Sequence, residues 1–407
     1  MPNNNKLKIF NDPIYGFITI PNALIFDLIQ HPYFQRLRRI SQMGMSYLVY
    51  PGAHHTRFHH AIGCMHLMQK AVQVLRFKGV EISDEEENAL YIAILLHDIG
   101  HGAFSHALEH SIINHLSHEQ ISRVFMKKLS EEFAGHLHLA IKIFEGSYHR
   151  HFMCQLISSQ LDIDRCDYLK RDSFYTGVSE GNVNSERLIT MFNVVDNQLV
   201  VEEKGVYSVE KFLVARRFMY WQVYLHKTSL VAEQMLLKVL LRAKCLIHSH
   251  VKLQASDALL FFLKNEIKQD NFNSKEIYLF SQLDDFDVVC ALKNWQNHSD
   301  YVLSSLSKMI INRDLLFIKF SEKEKINQLN KHKEKLKIKH HLTDDEADYF
   351  VFSGEVTHQA YQEKQHIKIL QKNGKLKSLS KITAHLSLKS LKKLERKYYL
   401  GVPKNSL

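Results

Sequence analysis

The feature that most constrains the fold of this chain is an apolar run that ends in two ionisable side chains. Residues 90–96 are all apolar or aromatic, and His97 and Asp98 follow them directly. Such a run belongs in a protein interior, where an ionisable group is costly unless something binds or pairs with it. The pair is either a satisfied core histidine beside a capping aspartate or part of a metal site. Its context favours metal ligation.

Two more residues of metal-binding type complete a candidate site. His60 lies in the segment 57–60, and Asp164 lies in the segment 162–165. Two imidazoles and two carboxylates form a mixed nitrogen and oxygen site, which suits Mn, Mg or Fe, with Zn or Ni as crystal substitutes. Four protein ligands on a metal that prefers six leave positions for water and a phosphate oxygen. This is the arrangement of a hydrolase centre.

The order of these four residues resembles the HD phosphohydrolase superfamily, in which the matching positions bind the metal. Longer motifs are similar to its deoxynucleoside-triphosphate triphosphohydrolase branch. They cover residues 11–16, 34–38, 50–53, 56–60, 97–106, 117–120 and 162–172, within a match over residues 7–250. The resemblance implies a mainly α fold with an HD-domain helical core. It also implies an enzyme that hydrolyses a dNTP to a deoxynucleoside and inorganic triphosphate.

The resemblance assigns catalytic roles to a group of histidines and one carboxylate. His106 matches the family's catalytic histidine, and Glu109 stands at the i,i+3 spacing from which a carboxylate can orient an imidazole and raise its pKa. His118 and His101 match residues near the phosphates. Ser117 and Gln120 have capping-box spacing, which places His118 in a helix's first turn, where the partial positive charge favours phosphate. We take His106, Glu109 and His118 as catalytic and His101 as substrate-binding.

Three arginines and five other residues are the expected substrate contacts. Positive charge for the phosphates is expected from Arg57, Arg165 and Arg216; Arg165 stands where a mammalian member has lysine and offers a planar fork instead. By motif, a second group contacts or encloses the deoxyribose and its 3′-hydroxyl. These residues are Tyr168, Asp172, Gln42, Met43 and Tyr224. A bulky side chain against C2′ would disfavour a ribose hydroxyl by about 1–3 kcal/mol.

An activating-nucleotide site between subunits is also suggested by the resemblance. Lys8, Asn11, Gln35 and Arg38 match such a pocket, but Gln30 replaces its guanine-reading aspartate. An amide cannot accept two guanine N–H bonds, so the activator is another dNTP or is absent. We expect a homo-oligomer, a dimer or tetramer, because two-fold interfaces close. The alternative is that these N-terminal elements pack within one chain.

The positive charge is concentrated at the C-terminal end. Residues 301–407 contain 22 of the 53 Lys and Arg residues and 11 of the 43 Asp and Glu residues, so this segment carries +11, whereas the whole chain carries +10. The densest cluster lies at 331–339 and is either a solvated helix face or a phosphate- or nucleic-acid-binding patch. We expect an HD-type helical domain at 1–300, with its motifs at 50–175, and a smaller basic α+β region at 301–407.

Other bulk features limit the remaining possibilities. Five cysteines without paired spacing favour a reducing compartment, and no apolar stretch approaches membrane-spanning length. We expect a cytoplasmic protein with no membrane association. Two alternatives to the dNTPase stay open. One is another HD phosphohydrolase, a nucleotidase or a cyclic-nucleotide phosphodiesterase, and the other is a nucleic-acid-binding regulatory protein that uses the basic region.

Local patterns predict mostly helices. Capping-box spacing at Ser83 and Glu86 predicts the start of the helix that leads to His97. Further helices are predicted at 59–77, 209–248, 255–268, 283–297, 299–310 and 386–397. Two hairpins are predicted, one at 200–207 and one around Asn373-Gly374.

Overall fold

The computed structural model describes residues 8–104, 116–267, 272–359, 361, 366–383 and 393–404. Its described part is mainly α-helical, which confirms the predicted fold class. The α-helices are α1 Ala23–Gln30, α2 Pro32–Gln35, α3 Arg57–Phe77, α4 Asp84–Leu96, α5 His118–Glu132, α6 His138–Phe144, α7 His151–Ile157, α8 Ile163–Thr176, α9 Ser185–Thr190, α10 Val206–Met219, α11 Lys227–His248, α12 Asp257–Lys264, α13 Ser274–Gln282, α14 Asp285–Trp295, α15 Tyr301–Ile311, α16 Ile326–His340 and α17 Asp344–Ala347.

Within the residues that the structure describes, nine short strands form three small sheets. The strands are β1 Ile9–Asp12, β2 Gly16–Thr19, β3 Phe192–Val195, β4 Gln198–Glu202, β5 Phe317–Ser321, β6 Phe352–His358, β7 Lys368–Leu370, β8 Leu376–Ser378 and β9 Glu395–Val402. β1 and β2 form a ribbon, β5, β9 and β6 form one sheet, and β3, β4, β7 and β8 form the other. Parallel pairing of β4 with β7 joins Val201 to Ile369, so strands from both sides of the predicted boundary at residue 300 share a sheet.

Two capping boxes that the sequence predicted begin α4, which leads to His97, and α5, which carries His118. The Ser83 hydroxyl accepts the Glu86 N–H at 3.1 Å, and the Glu86 carboxylate accepts the Ser83 N–H at 2.9 Å. Ser117 and Gln120 form the same reciprocal pair at the start of α5. Beyond the first cap, α4 is buried over its last eight residues, and packs against α3. The two capping boxes therefore hold α4 and α5 at the starts that their sequences predicted.

Three secondary-structure predictions need correction. The helix predicted at 209–248 is interrupted by a π-helical segment, Tyr220–Tyr224, and restarts because His226 Nδ1 accepts the N–H of Thr228. The hairpin predicted at 200–207 turns earlier, at Asp196 and Asn197, both with positive φ. The end of the helix predicted at 386–397 is instead in β9, and residues 384–392 lie outside the described residues.

The hairpin predicted at Asn373-Gly374 is present. β7 and β8 pair antiparallel, and Gly374 adopts a φ of 79°, a conformation that glycine reaches without a steric penalty. All five cysteines are free thiols. Among the residues that the structure describes, no helix is both long and apolar enough to cross a membrane.

Candidate metal centre

Three helices bring the four predicted metal ligands together. His60 lies in the first turn of α3, His97 and Asp98 follow the last residue of α4, and Asp164 lies in the first turn of α8. His60 Nε2 is 3.1 Å from Asp164 Oδ1, and His97 Nε2 is 3.6 Å from the same oxygen. Asp98 Oδ1 is 3.4 Å from His97 Nε2, and its Oδ2 is 3.7 Å from His60 Nε2. All four side chains thus face one small space.

Both histidines are oriented with Nε2 towards that space. His97 Nδ1 donates to the carbonyl oxygen of Ile94 at 2.7 Å, and a carbonyl only accepts, so this nitrogen carries the proton. His60 Nδ1 is 2.8 Å from the Asp167 carboxylate, which likewise accepts. A neutral imidazole that donates from Nδ1 presents a lone pair at Nε2. The Nε2 atom of His97 is buried and has no hydrogen-bond partner within the described residues, as expected of a metal ligand.

The charges of the centre also fit a divalent cation. Burial disfavours charge on Asp98, but His97 and Arg57 outweigh it and hold the pKa of this carboxyl well below its ordinary value. Burial likewise opposes a charge on His97, yet Asp98 and Asp164 raise its pKa. The two carboxylates therefore attract positive charge strongly enough to favour protons on neighbouring imidazoles. A divalent metal ion held by Nε2 and carboxylate oxygens would satisfy the same carboxylates.

Cys64 lies close to these groups but is poorly placed to be a ligand. Its sulfur is 3.5 Å from His60 Nδ1 and 3.6 Å from His60 Nε2. A sulfur almost equidistant from both ring nitrogens lies away from the lone-pair axis of Nε2, along which a metal binds. Burial, the largest cause, raises the pKa of the Cys64 thiol and disfavours the thiolate that a metal needs. We therefore keep the two-histidine, two-aspartate set.

A buried network behind the centre fixes His60. Asp167 accepts from His60 Nδ1 and from Arg171 Nε, both at 2.8 Å, and Arg171 also donates to Asp12 at 2.8 Å. Burial opposes ionisation of Asp167, but Arg171 and His60 lower its pKa to about 2. Gly63 permits the approach of α3 to α8, because a Cβ there would lie 2.2 Å from the Arg171 and Asp167 side chains.

The sequence interpretation gave Asp167 no role at the site and missed its contact with His60. The available signal was position: Asp167 follows Asp164 by three residues, which puts both on one face of α8. Such carboxylate partners fix the tautomer and ring orientation of metal-binding histidines. Asp162 has a structural role, because it caps α8 by accepting the Arg165 N–H at 2.8 Å.

Two further predicted residues, His101 and His118, stack beside the centre. Their ring centroids are 4.0 Å apart with an interplanar angle of 16°, and His101 Nε2 is 3.4 Å from Asp98 Oδ1. Burial and Arg57 lower the pKa of His101 well below its ordinary value, so the ring is neutral at pH 7. His118 Nε2 is 3.3 Å from Glu119. His106 and Glu109 lie outside the described residues, and their catalytic roles stay predictions.

The three predicted phosphate-binding arginines contact acidic or aromatic side chains. Arg57 forms a buried ion pair with the ligand Asp98. Arg165 pairs with Asp162, and the guanidinium of Arg216 lies 6.0 Å from the centroid of the Tyr220 ring. Arg57 therefore pairs directly with a candidate metal ligand.

The predicted sugar-binding residues gather around Asp172. Tyr224, in the π-helical segment, donates its hydroxyl to Asp172 Oδ2 at 2.8 Å, and its ring meets the Tyr168 ring edge-on at 6.0 Å. His55, which the sequence interpretation missed, has Nε2 2.6 Å from Asp172 Oδ1. The carbonyl of His55 accepts the Gln42 N–H at 3.0 Å, which brings Gln42 and the buried Met43 beside this group. π-helical segments occur often at functional sites.

Backbone segments on one side of the centre are held by two buried charges. The Arg36 guanidinium donates to the carbonyl oxygens of Ile99 and His101, both at 2.8 Å, and of Leu283 at 3.2 Å. Asp285 accepts the N–H of Ser41 at 2.8 Å and of Phe104 at 2.7 Å. Arg36 and Asp285 thus tie the segments that carry Gln42, Met43 and His101 to the start of α14.

The predicted regulatory residues lie on the N-terminal elements. Lys8 Nζ is 3.1 Å from the centroid of the Phe26 ring, and the Arg38 guanidinium is 3.6 Å from that of Phe58. Gln35 accepts from Arg38 at 2.9 Å and donates to the Ile29 carbonyl at 2.7 Å. Asn11 is exposed on β1. These contacts are intrachain and leave the predicted nucleotide site untested.

Comparison with known proteins places this centre in a family. The HD domain model matches residues 57–172, which contain all four candidate ligands, and the HD associated region model matches residues 183–258. The uncharacterized protein YwfO of Bacillus subtilis is 33% identical over 97% of this chain and 93% of its own length. A solved phosphohydrolase from Bacteroides thetaiotaomicron is 48% identical, with a TM-score of 0.95, over 98% of this chain and 100% of that chain.

A more distant relative has a named activity. The deoxynucleoside triphosphate triphosphohydrolase SAMHD1 homolog of Dictyostelium discoideum is 32% identical over 56% of this chain and 48% of its own length. The similarity thus extends over about half of each protein.

Proposed function

The chain belongs to the HD-domain phosphohydrolase family, and from this membership we propose that it is a metal-dependent hydrolase that converts a dNTP to a deoxynucleoside and inorganic triphosphate. The observation that carries the proposal is the convergence of four ligands, with the Nε2 atoms of His60 and His97 within 3.6 Å of Asp164. A divalent ion held there supplies Lewis-acid charge to a phosphate oxygen. Relatives named as dNTP triphosphohydrolases support this choice of substrate.

The residues beside the centre would bind the triphosphate and supply a proton to the leaving group. His101 is neutral at pH 7 and its Nε2 faces the Asp98 carboxylate, so its ring would border the triphosphate without adding charge. His118 stands at the N-terminus of α5, where unsatisfied N–H groups favour an anion. The leaving 5′-oxygen needs a proton, and we assign its transfer to His106, oriented by Glu109.

The group around Asp172 would recognise the sugar. Its carboxylate accepts from His55 and Tyr224, and an ionised carboxylate retains further lone pairs that a 3′-hydroxyl can use. The edge-on Tyr168 and Tyr224 rings offer an apolar wall, and the buried Met43 follows Gln42, whose N–H binds the His55 carbonyl. A pocket closed against C2′ favours a deoxyribose over a ribose.

Product analysis tests the proposal most directly. Pure protein is incubated with each dNTP and Mn or Mg, and the products are separated by anion exchange. We expect a deoxynucleoside and triphosphate, and loss of turnover in Asp98→Ala and Asp164→Ala. A dNMP or orthophosphate as first product would identify a nucleotidase, and selective hydrolysis of cyclic nucleotides would identify a phosphodiesterase. Full activity in both variants would refute the centre.

We also propose that the chain assembles into a dimer or tetramer through its N-terminal ribbon. Ile9 and Phe17 are large apolar side chains that are 46% and 70% exposed, and register places both on one face of the β1–β2 ribbon. A second copy would cover this face, and a nucleotide bound between copies would favour assembly. Light scattering with and without dNTP tests this. A fully active monomer at micromolar concentration would contradict both the assembly and its regulation.

Nucleic-acid binding by the basic region is the second candidate function. It is motivated by α16, on which Lys331, Lys335 and Lys339 recur every four residues and so form one stripe. Because β7 pairs with β4, deleting residues 301–407 would disturb the fold, and charge reversal is the cleaner test. Binding of single-stranded DNA with a steep salt dependence, lost when all three lysines become glutamate, would support it.

A further inference from the structure

A second cavity lies in the C-terminal part of the chain, and its lining includes none of the residues around the metal centre. It has a volume of about 390 Å³ and is bounded by α15, α16, the segment after α15 and Pro403–Lys404. Its apolar wall consists of Met309, Leu315, Leu336, Leu342 and Phe350. This volume falls in the range of pockets that hold small organic ligands, and the wall gives such a ligand apolar surface to cover.

Positive side chains stand around this apolar wall. Lys335 and Lys339 lie one turn apart on α16, and Lys404 lies on the opposite segment, where it pairs with Asp314 at 3.0 Å. Neighbouring Lys337 is already neutralised, by Glu334 at 2.9 Å and Asp344 at 2.7 Å. No ion pair between described residues involves Lys335 or Lys339. Two lysines of the lining therefore lack a carboxylate partner among the described residues, while the lining's carboxylate, Asp314, is paired with Lys404.

Aromatic groups complete the lining. The Tyr301 ring is 44% exposed, and its centroid lies 5.9 Å from the Phe350 ring and 5.9 Å from the His340 ring. The Tyr301 hydroxyl and His340 Nδ1 share a hydrogen bond of 3.0 Å, which fixes both rings. A planar heterocycle can stack on such a fixed ring, whatever its base identity.

We propose that this cavity binds a nucleoside 5′-phosphate, with the base against Tyr301 and the phosphate at Lys335 and Lys339. The two halves of the lining require the two halves of this ligand. An inorganic anion leaves the aromatic and apolar wall uncovered, and a neutral nucleoside leaves the lysines without a partner. The site is separate from the catalytic centre, so it holds this ligand whether or not the centre turns over.

Calorimetric titration of the full-length protein with AMP and GMP tests the site. We expect at least one of the two nucleotides to bind, and the Lys335→Glu/Lys339→Glu double variant to weaken that binding at least tenfold. Tyr301→Ala should weaken it comparably, whereas Tyr301→Phe, which keeps the ring, should weaken it less. Photolabelling with 8-azido-AMP should modify the peptide that contains Tyr301 in the parent protein and not in the double variant.

Lys331→Glu is the matched control, because Lys331 lies on the same face of α16 but does not line the cavity. It should change affinity less than twofold. Equal weakening by Lys331→Glu would indicate a diffuse phosphate-binding surface and overturn the proposal. So would the absence of saturable binding at millimolar nucleotide, unchanged binding in the double variant, or binding of inorganic phosphate as tight as that of AMP. Thermal melting checks that each variant is folded.

Discussion

The support that Asp167 gives to His60 can be separated from its support of the fold. In Asp167→Asn, one acceptor oxygen becomes an NH₂ group that must face either His60 Nδ1 or Arg171, each now 2.8–3.0 Å away. Loss of a carboxylate behind a metal-binding histidine lowers metal affinity about 10- to 100-fold. This range corresponds to about 1.4–2.8 kcal/mol of binding free energy.

Asp12→Asn is the matched control for this variant. Asp12 Oδ2 contacts the same Arg171 at 2.8 Å, but Asp12 makes no contact with His60. The retained Oδ1 still accepts the N–H groups of Ile14 and Tyr15, so the local turn survives. Asp12→Asn weakens one charged hydrogen bond to Arg171 and should lower the free energy of unfolding without metal by about 1.5–3 kcal/mol, whereas Asp167→Asn weakens two and should lower it by at least as much. Only Asp167→Asn should also weaken metal binding.

The assay is Mn²⁺ affinity by competition with a chelating dye, combined with urea unfolding in EDTA. We expect both metal-free variants to be destabilised, Asp167→Asn at least as much as Asp12→Asn, with a 10- to 100-fold weaker Kd in Asp167→Asn and an unchanged Kd in Asp12→Asn. A Kd for Asp167→Asn within threefold of the parent value would show that His60 does not depend on this carboxylate. Equal loss of affinity in Asp12→Asn would show that the whole network, and not the His60 contact, matters.

Three more predictions address the surroundings of the centre. Burial raises the pKa of Asp285 to about 6, so the stability that this protonated carboxyl contributes is fully present below pH 4 and is lost as pH rises through 6. The free energy of unfolding of the parent, minus that of Asp285→Asn, should therefore shrink by about 2–3 kcal/mol between pH 4 and pH 7. A difference that stays constant with pH would refute this. Tyr224→Phe removes the hydroxyl that binds Asp172 and should raise the KM for dNTP by about 2- to 10-fold, with little change in the unfolding midpoint. An unchanged KM would place Asp172 away from the sugar. Gly100→Ala introduces a Cβ 2.3 Å from the His118 carbonyl oxygen and the Ser122 nitrogen, so it should separate His118 from His101 and lower both Tm and kcat. If Tm and kcat both keep their parent values, the close approach of Gly100 to the start of α5 is dispensable.

The parts of the fold that sequence predicted are those coded by neighbouring residues. Ser83 with Glu86 and Ser117 with Gln120 form their caps from residues three apart, and Asn373-Gly374 forms its hairpin from adjacent ones. The His97-Asp98 pair was recognisable because charge at the end of an apolar run needs a compensating partner.

The parts that sequence did not predict depend on contacts between distant residues or on a choice between similar turns. The break at His226 interrupts an apolar pattern that continues on both sides, because the π-helical segment turns Tyr224 towards Asp172. The hairpin predicted at 200–207 turns instead at Asp196 and Asn197, which also suit a turn. The contact of Asp167 with His60 forms only when α3 packs on α8, so the sequence interpretation did not include it.

The position of Arg36 has a consequence for synthesis on the ribosome. Its guanidinium joins the carbonyls of Ile99 and Leu283, which are separated by most of the helical domain. A nascent chain that ends before Leu283 already contains every metal ligand, yet it lacks the last acceptor of Arg36 and the carboxylate of Asp285. We therefore expect the metal to be bound tightly only after α14 has left the exit tunnel, so that metal capture completes folding instead of nucleating it.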